Sequence, residues 1–357
     1  MSRRTVLVTG ANGYIGNAVA KEFNRAGWKT YGLIRRAEDA SDLEQHEIHA
    51  IISSPKEVIS ANLIPDDLTF DVIVSNTEDW SDYITHFNDV KKMLVHLGQQ
   101  SLDKTGIRPL VLLSSGCKDY GMTGYHGDPD LAPHTESSPL TAFPILLPRT
   151  NSAANLMEES RQPDTSLPFD VTVLRPTNVY GYGSSYYGAL FAFASKSQER
   201  GGILRIEAEP ENIMHSAHVD DCATAYVALA EHPQRKEVSG QAFNISNIKY
   251  ETLRDICNAL ASSYGLKVEF AEPKPMGEVV PGMIEALLKY TQWVSSEKVR
   301  SITGWTERRP SFTQGIEEYR LAYEAALAAK HYGTVKINST FQDPSDVVRQ
   351  WNRTKGL

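Results

Sequence analysis

Short, unbroken apolar runs alternate with amphipathic stretches over the first half of this chain. Thr5-Val6-Leu7-Val8 is the first run, and a strand covered on both faces reads this way. Apolar positions then recur at Ile15, Val19, Phe23 and Ala26, which is helical spacing. Lys29 to Ile34 is the second strand, and Ile48–Ile52, Asp71–Val74, Leu110–Ser114 and Val171–Leu174 follow, separated by helical or loop stretches. That alternation predicts an α/β fold with a doubly wound parallel sheet. After Gly181 the pattern loosens into separate helices and short strands, and an Ala-rich helix is expected near Gly315–Lys330. The expected division is a doubly wound domain over 1–180, to which 215–248 returns, and a smaller C-terminal α/β substrate lobe from 181–214 and 249–330. Residues 331–357 are polar and irregular, and read as an extended tail.

The glycines sharpen this reading. Gly10, Gly13 and Gly16 sit between the first strand and the first helix. A dinucleotide site needs glycine there for a tight turn, for close approach of the backbone to pyrophosphate, and for helix–sheet packing. The helix N-terminus adds free N–H groups and a positive dipole end. The turn residues Gly10, Asn12, Gly13, Tyr14, Ile15 and Gly16 are therefore candidate cofactor contacts. The second strand ends in Arg35-Arg36, with no acid before Glu38. Arginine accommodates a 2′-phosphate where a carboxylate would take a ribose hydroxyl, so NADP(H) is the expected cofactor.

Composition narrows the partners. A chain of 357 residues with 41% hydrophobic content can bury a sizeable core. A net charge of −8 argues against nucleic acid or an anionic membrane, both of which recruit positive charge. Cys117, Cys222 and Cys257 are odd in number and lack metal-ligand spacing, so reduced thiols, no metal and a cytoplasmic setting are expected. No signal-like apolar core follows the N-terminus, and no run of eighteen apolar residues exists.

Several ordered segments carry a family resemblance. Thr9 to Gly16, Leu112-Leu113-Ser114-Ser115-Gly116, Leu174-Arg175-Pro176-Thr177-Asn178-Val179-Tyr180-Gly181 and His218-Val219-Asp220-Asp221-Cys222-Ala223 resemble the extended short-chain dehydrogenases, the epimerase/dehydratase branch. Ser295-Ser296-Glu297-Lys298 through Gly304-Trp305-Thr306 is similar to that branch's closing segment. The resemblance implies a nicotinamide cofactor, a substrate lobe closing over it and a homodimer. It makes Ser115 the catalytic hydroxyl and Pro176, Asn178 and Val179 the segment against the nicotinamide. Ser75-Asn76-Thr77 stands where the branch carries His-Leu-Ala, which leaves Thr77 as a candidate contact.

One motif is missing. The branch places a Tyr-x-x-x-Lys pair, a proton donor and the lysine that lowers its pKa, before the helix containing Ala153-Ala154-Asn155-Leu156. This chain has no tyrosine between 126 and 179 and no lysine between 119 and 195. Leu147 and Asn151 fall on the two positions, and neither does the chemistry. A literal match at Tyr332-Gly333-Thr334-Val335-Lys336 lies outside the Rossmann core and is read as chance.

Candidate replacements are Lys118, three residues after Ser115, and Arg149, at the helix entrance; Tyr120, Tyr125, His126, His134, Tyr180 and Tyr182 could each reach a cleft, and the sequence does not choose among them. Lys118 resembles the functional lysine of the progesterone 5β-reductase and iridoid synthase relatives, which reduce activated C=C bonds. A guanidinium at 149 suits an oxyanion but is a poor proton donor. The first reading is an NADP(H)-dependent reductase of a small organic substrate of specialised metabolism, an activated C=C or a carbonyl. A redox-neutral isomerase or cyclase and a non-catalytic dinucleotide sensor are the alternatives.

Overall fold

The computed structural model describes residues 4–273 and 287–342, with 62 and 184 excepted. Eleven strands are described: β1 (Thr5–Thr9), β2 (Lys29–Ile34), β3 (His49–Ile52), β4 (Val72–Ser75), β5 (Leu110–Ser114), β6 (Asp170–Pro176), β7 (Asn178–Tyr180), β8 (Ile203–Ile206), β9 (Ser216–His218), β10 (Gln241–Ile245) and β11 (Lys267–Phe270). Seven form one parallel sheet in the order β10-β6-β5-β4-β1-β2-β3. Strand order reverses between β1 and β4, and ligands of such sheets bind in the crevice beyond the strand ends at that point. The glycine turn leaves β1 there, and Asn76 and Thr77 leave β4 beside it.

The apolar runs became strands because both faces of the sheet are covered. One face carries α1 (Tyr14–Arg25). The other carries α4 (Tyr83–Thr105) and α5 (Leu147–Arg161), with α2 (Ala40–Glu44) and α3 (Pro55–Ser60) ordering the chain between. Val19, Ala20 and Phe23 of α1 are completely buried against Ala223 and Tyr226 of α7 (Val219–Ala230). Burying a side chain the size of Phe23 contributes about 1.5–3 kcal/mol over leaving it in water. A separate aromatic core joins α6 (Gly188–Glu199), α9 (Leu253–Tyr264) and the helix Ile316–Ala328 through Tyr180, Tyr187, Phe191, Phe312 and Tyr323. The short α8 (Arg235–Val238) leads into β10.

The Asp221 carboxylate helps to latch the closing segment to the sheet domain, beside the Arg309–Asp220 ion pair. Asp221, in the first turn of α7, accepts from the backbone N–H groups of Arg308 and Arg309 at 2.9 and 3.0 Å. Trp305 Nε1 donates to the Asp221 carbonyl and to Thr224 Oγ1. This explains why the His218–Ala223 and Gly304–Thr306 segments occur together.

The tail differs from the expectation. Tyr332–Gln342 is a helix rather than extended chain. It packs against α6 and the helix Ile316–Ala328, with Thr334 fully buried and Asn338 Nδ2 donating to Tyr323 Oη at 2.9 Å. One small buried face suffices to hold an otherwise polar helix, and so narrow a stripe is hard to see in sequence. The rest of the expected tail, 343–357, lies outside the described residues.

The glycines of the turn have separable roles. Gly10 has φ +63, and a side chain on Gly16 would overlap the Gly10 carbonyl. A side chain on Gly13 would meet the Gly10 carbonyl oxygen at 3.1 Å and nothing else within 4 Å. Gly16→Ala should therefore lower folding stability by about 1–3 kcal/mol through overpacking, read as a lower denaturation midpoint. Gly13→Val should keep the wild-type midpoint but lose dinucleotide binding in a calorimetric titration. Normal binding by Gly13→Val would show that the turn is not the phosphate cradle.

Candidate active site and cofactor cleft

The turn between β1 and α1 meets the requirements of a dinucleotide cradle on its own geometry. Gly13 is the N-cap of α1 and offers no side-chain oxygen, so the amides of the first helical turn have no side-chain cap. Asn76 Nδ2 is buried without a partner, while its backbone N–H donates to Thr9 Oγ1 at 3.0 Å and its Oδ1 accepts from Ser114 Oγ. A buried orphan donor beside the turn is an opening for a ligand oxygen. Thr77 lies next to it and pairs with His86 Nε2 at 3.1 Å. Tyr14 faces the other way: its hydroxyl donates to the Gly181 carbonyl at 2.7 Å, tying α1 to the segment after β7. Ile15 packs against the core.

The Arg35-Arg36 pair is not the free double cation that its sequence suggests. Arg36 is clamped edge-on to Asp39, Nε to Oδ2 and Nη2 to Oδ1, both at 2.7 Å. Asp39 ends a 3-10 turn (Ala37–Asp39) that folds straight back onto the guanidinium, and Asn12 Nδ2 donates to the same carboxylate at 2.6 Å. Glu38 stands 3.8 Å from Arg36 Nε. Arg35 is exposed, and its guanidinium has no carboxylate within ion-pair distance among the described residues. A 2′-phosphate would meet Arg35 directly and would have to displace Asp39 from Arg36.

Beyond β5 the chain turns through Gly116-Cys117-Lys118-Asp119-Tyr120, and Asp119 organises what surrounds it. The residue is fully buried, and each carboxylate oxygen has two partners. Oδ1 accepts from Arg149 Nη2 at 2.9 Å and Thr150 Oγ1 at 2.8 Å. Oδ2 accepts from Ser115 Oγ at 2.5 Å and Arg175 Nε at 3.3 Å. Burial by itself would raise the Asp119 carboxyl, but Arg149, Ser115 and Arg175 outweigh it and hold the group below the usual carboxylate range. Arg175 also donates to Tyr120 Oη at 2.9 Å. Asp119 and Arg175 are partners that the sequence reading missed, because nothing in their spacing marks a carboxylate fully enclosed by side chains from three elements.

Of the expected catalytic residues, Ser115 and Arg149 meet on this carboxylate. Ser115 donates its hydrogen bond to Asp119, so its role as a donor to substrate is not the one this geometry shows. Arg149 is buried; its Nη1 lies 3.7 Å from Glu78, and its Nε is buried without a partner among the described residues. Glu78, another residue missed in sequence, is raised by desolvation and by Asp119 against the pull of Arg149, although a third of its side chain stays exposed. Leu147 and Asn151, at the positions of the absent Tyr-x-x-x-Lys pair, are exposed on α5, and that helix buries Arg149 and Thr150 instead.

Lys118 stands apart. Its Nζ lies 4.5 Å from the centre of the Tyr290 ring, and no carboxylate is within ion-pair distance among the described residues. Desolvation, reinforced by the Arg149 cation, pushes it down to about 8. Its backbone is held by the segment that follows residue 289: Tyr290 Oη donates to the Lys118 carbonyl at 3.2 Å, and Gln292 Nε2 to the carbonyls of Cys117 and Gly121 at 2.8 and 2.7 Å. Cys117 is no nucleophile. Burial pushes its thiol up, and its Sγ is in contact with the Arg175 carbonyl at 2.8 Å. Pro176 closes β6, and Asn178 and Val179 lie in β7, paired with Ser216 and Ala217 of β9. A cavity of about 430 Å³ elsewhere touches Arg175, Glu136 and Lys298 but none of the glycine turn, Ser115, Lys118 or Arg149. Among the described residues no His/Cys/Asp/Glu group is placed to hold a metal, and no helix is long and apolar enough to cross a membrane.

Comparison with known proteins agrees with this architecture. A dTDP-glucose 4,6-dehydratase from Bacillus anthracis in complex with NAD superposes with a TM-score of 0.68 at 17% identity, over 90% of this chain and 97% of that one. A UDP-glucose 4-epimerase from Thermotoga maritima with UDP-glucose gives 0.65 at 18%, over 90% and 99%. At such identities the likeness is one of fold. The family model for the NAD dependent epimerase/dehydratase family matches residues 6–246, two thirds of the sequence. With its glycine turn and sheet order, the chain belongs to the NAD dependent epimerase/dehydratase family.

Proposed function

We propose that this chain is an NADP(H)-dependent reductase of a small organic substrate, an activated C=C or a carbonyl, with Lys118 carrying the proton. The observation behind this is the state of Lys118: a cation over an aromatic face, beside Arg149, with no carboxylate in ion-pair reach among the described residues and a pKa pushed down to about 8. A lysine so placed can release and take up a proton near neutral pH, which the arginines cannot. When bound, the nicotinamide would supply the hydride. The glycine turn would hold its pyrophosphate, and Arg35 and Arg36 the 2′-phosphate.

Each remaining group has a task that suits its partners. Arg149 is fixed by Asp119 and Glu78, and its unpaired Nε leaves a donor for a substrate oxygen that gains negative charge. Ser115 locks the Asp119 carboxylate and so sets the position of Arg149; it is a positioning residue here. Conjugate reduction suits such a site, because the developing enolate needs a fixed positive charge first and a proton second.

The protonated form of Lys118 is the donor, and it is present below its pKa. Turnover should therefore fall as pH rises through about 8. Lys118→Met should lose that limb and about 10²- to 10⁴-fold in rate, the usual worth of a positioned acid. A full-rate Lys118→Met variant, or an unchanged pH profile, would remove the lysine from the mechanism.

Hydride transfer itself is tested by deuterium at C4 of NADPH appearing in product once a substrate is in hand. Product formed without label or net NADPH consumption, and continuing with no nicotinamide bound, would establish the redox-neutral isomerase or cyclase instead.

A further inference from the structure

We infer that Tyr332, on the C-terminal helix, is a positioning residue for the cofactor's 2′-phosphate, holding the face of Arg36 so that its edge can grip the phosphate. The inference rests on the NADP(H) reading above. The Tyr332 ring lies under the Arg36 guanidinium at 3.9 Å from ring centre to carbon. This contact joins elements about three hundred positions apart, and it lies at the end of β2 where an adenosine ribose is bound in this fold.

The geometry separates the two surfaces of the guanidinium. Stacking on Tyr332 uses its face, and the fork of N–H donors along its edge goes to Asp39. Asn12 of the glycine turn donates to that same carboxylate, so the edge of Arg36 points back towards the cradle. Asp39 thus stands in for an anion at this position. A phosphate monoester offers more oxygens and more charge than a carboxylate, and can take over the fork while the stacked face stays as it is. A guanidinium already held on one face gives up less freedom on binding than a loose one.

The helix is built to hold the ring there. Thr334 is fully buried, and a side chain on Gly183 would lie 2.6 Å from its hydroxyl. Tyr323 and Asn338 exchange hydrogen bonds at 2.9 and 3.2 Å. Tyr332 itself remains more than half exposed, so its ring is spent on Arg36 and not on packing the core.

The test is calorimetric titration of the full-length protein with NADPH and NADH, comparing wild type, Tyr332→Ala and Tyr332→Phe. Loss of the cation–ring contact should weaken NADPH binding about 3- to 30-fold, leave NADH binding unchanged, and be restored by Tyr332→Phe. Equal weakening of both cofactors by Tyr332→Ala would make the helix a general brace and overturn the inference. So would a wild type that prefers NADPH and a Tyr332→Ala variant that binds it just as well. A wild type that binds NADH as tightly as NADPH would instead sink the cofactor assignment, and this inference with it.

Discussion

The buried carboxylate of Asp119 is the interaction on which the candidate site depends. Taking one carboxylate and two guanidinium groups out of water costs several kcal/mol per ion unless every lone pair and proton finds a partner. Here four donors saturate the two carboxylate oxygens. They come from the end of β5, from α5 and from β6, so one side chain fixes the relation of three elements around the cleft. Remove it and Arg175 loses its carboxylate, while Arg149 is left with Glu78 at 3.7 Å. The same arrangement explains why Ser115 does not behave as a free hydroxyl: its hydrogen bond completes the partners of a buried carboxylate.

Lys118 inherits the consequence. Asp119 and Glu78 balance the charges of Arg149 and Arg175, and no acid remains for the lysine on the same turn. Its backbone is pinned by Tyr290 and Gln292, so it cannot drift to the surface in search of one. An ammonium taken out of water beside another cation is costly to keep charged, which is the physical origin of its lowered pKa.

The strands and the glycine turn were legible because each rests on local chemistry. Val6 to Val8 and Leu110 to Leu113 are apolar on both sides because helices cover both faces of a parallel sheet. The charge pairs were not legible. Asp39 neutralises Arg36 only because a 3-10 turn reverses the chain after β2, and a reading of residues in line sees two arginines. Asp119, Arg149 and Arg175 are distant in sequence, and only the parallel pairing of β5 with β6 and the entry angle of α5 bring them together. The C-terminal helix was missed because one buried threonine and one asparagine–tyrosine pair carry much of its attachment.

The absence of the Tyr-x-x-x-Lys pair need not make the cleft inert, but it changes which group can move a proton. In that pair the lysine acts on the phenol and lowers its pKa. Lys118 and Tyr290 bring the same two residue types together from distant elements, with the ammonium over the ring face and the hydroxyl turned onto the Lys118 carbonyl. Burial raises the phenol rather than lowering it, and Asp119 adds to that rise. Tyr290 therefore holds its proton through the whole range in which proteins work. The aromatic face stabilises a cation that desolvation and Arg149 destabilise, and the balance leaves the lysine close to neutrality. Lys118 is thus lowered while Tyr290 is raised, and the tyrosine holds the lysine's carbonyl and faces its ammonium.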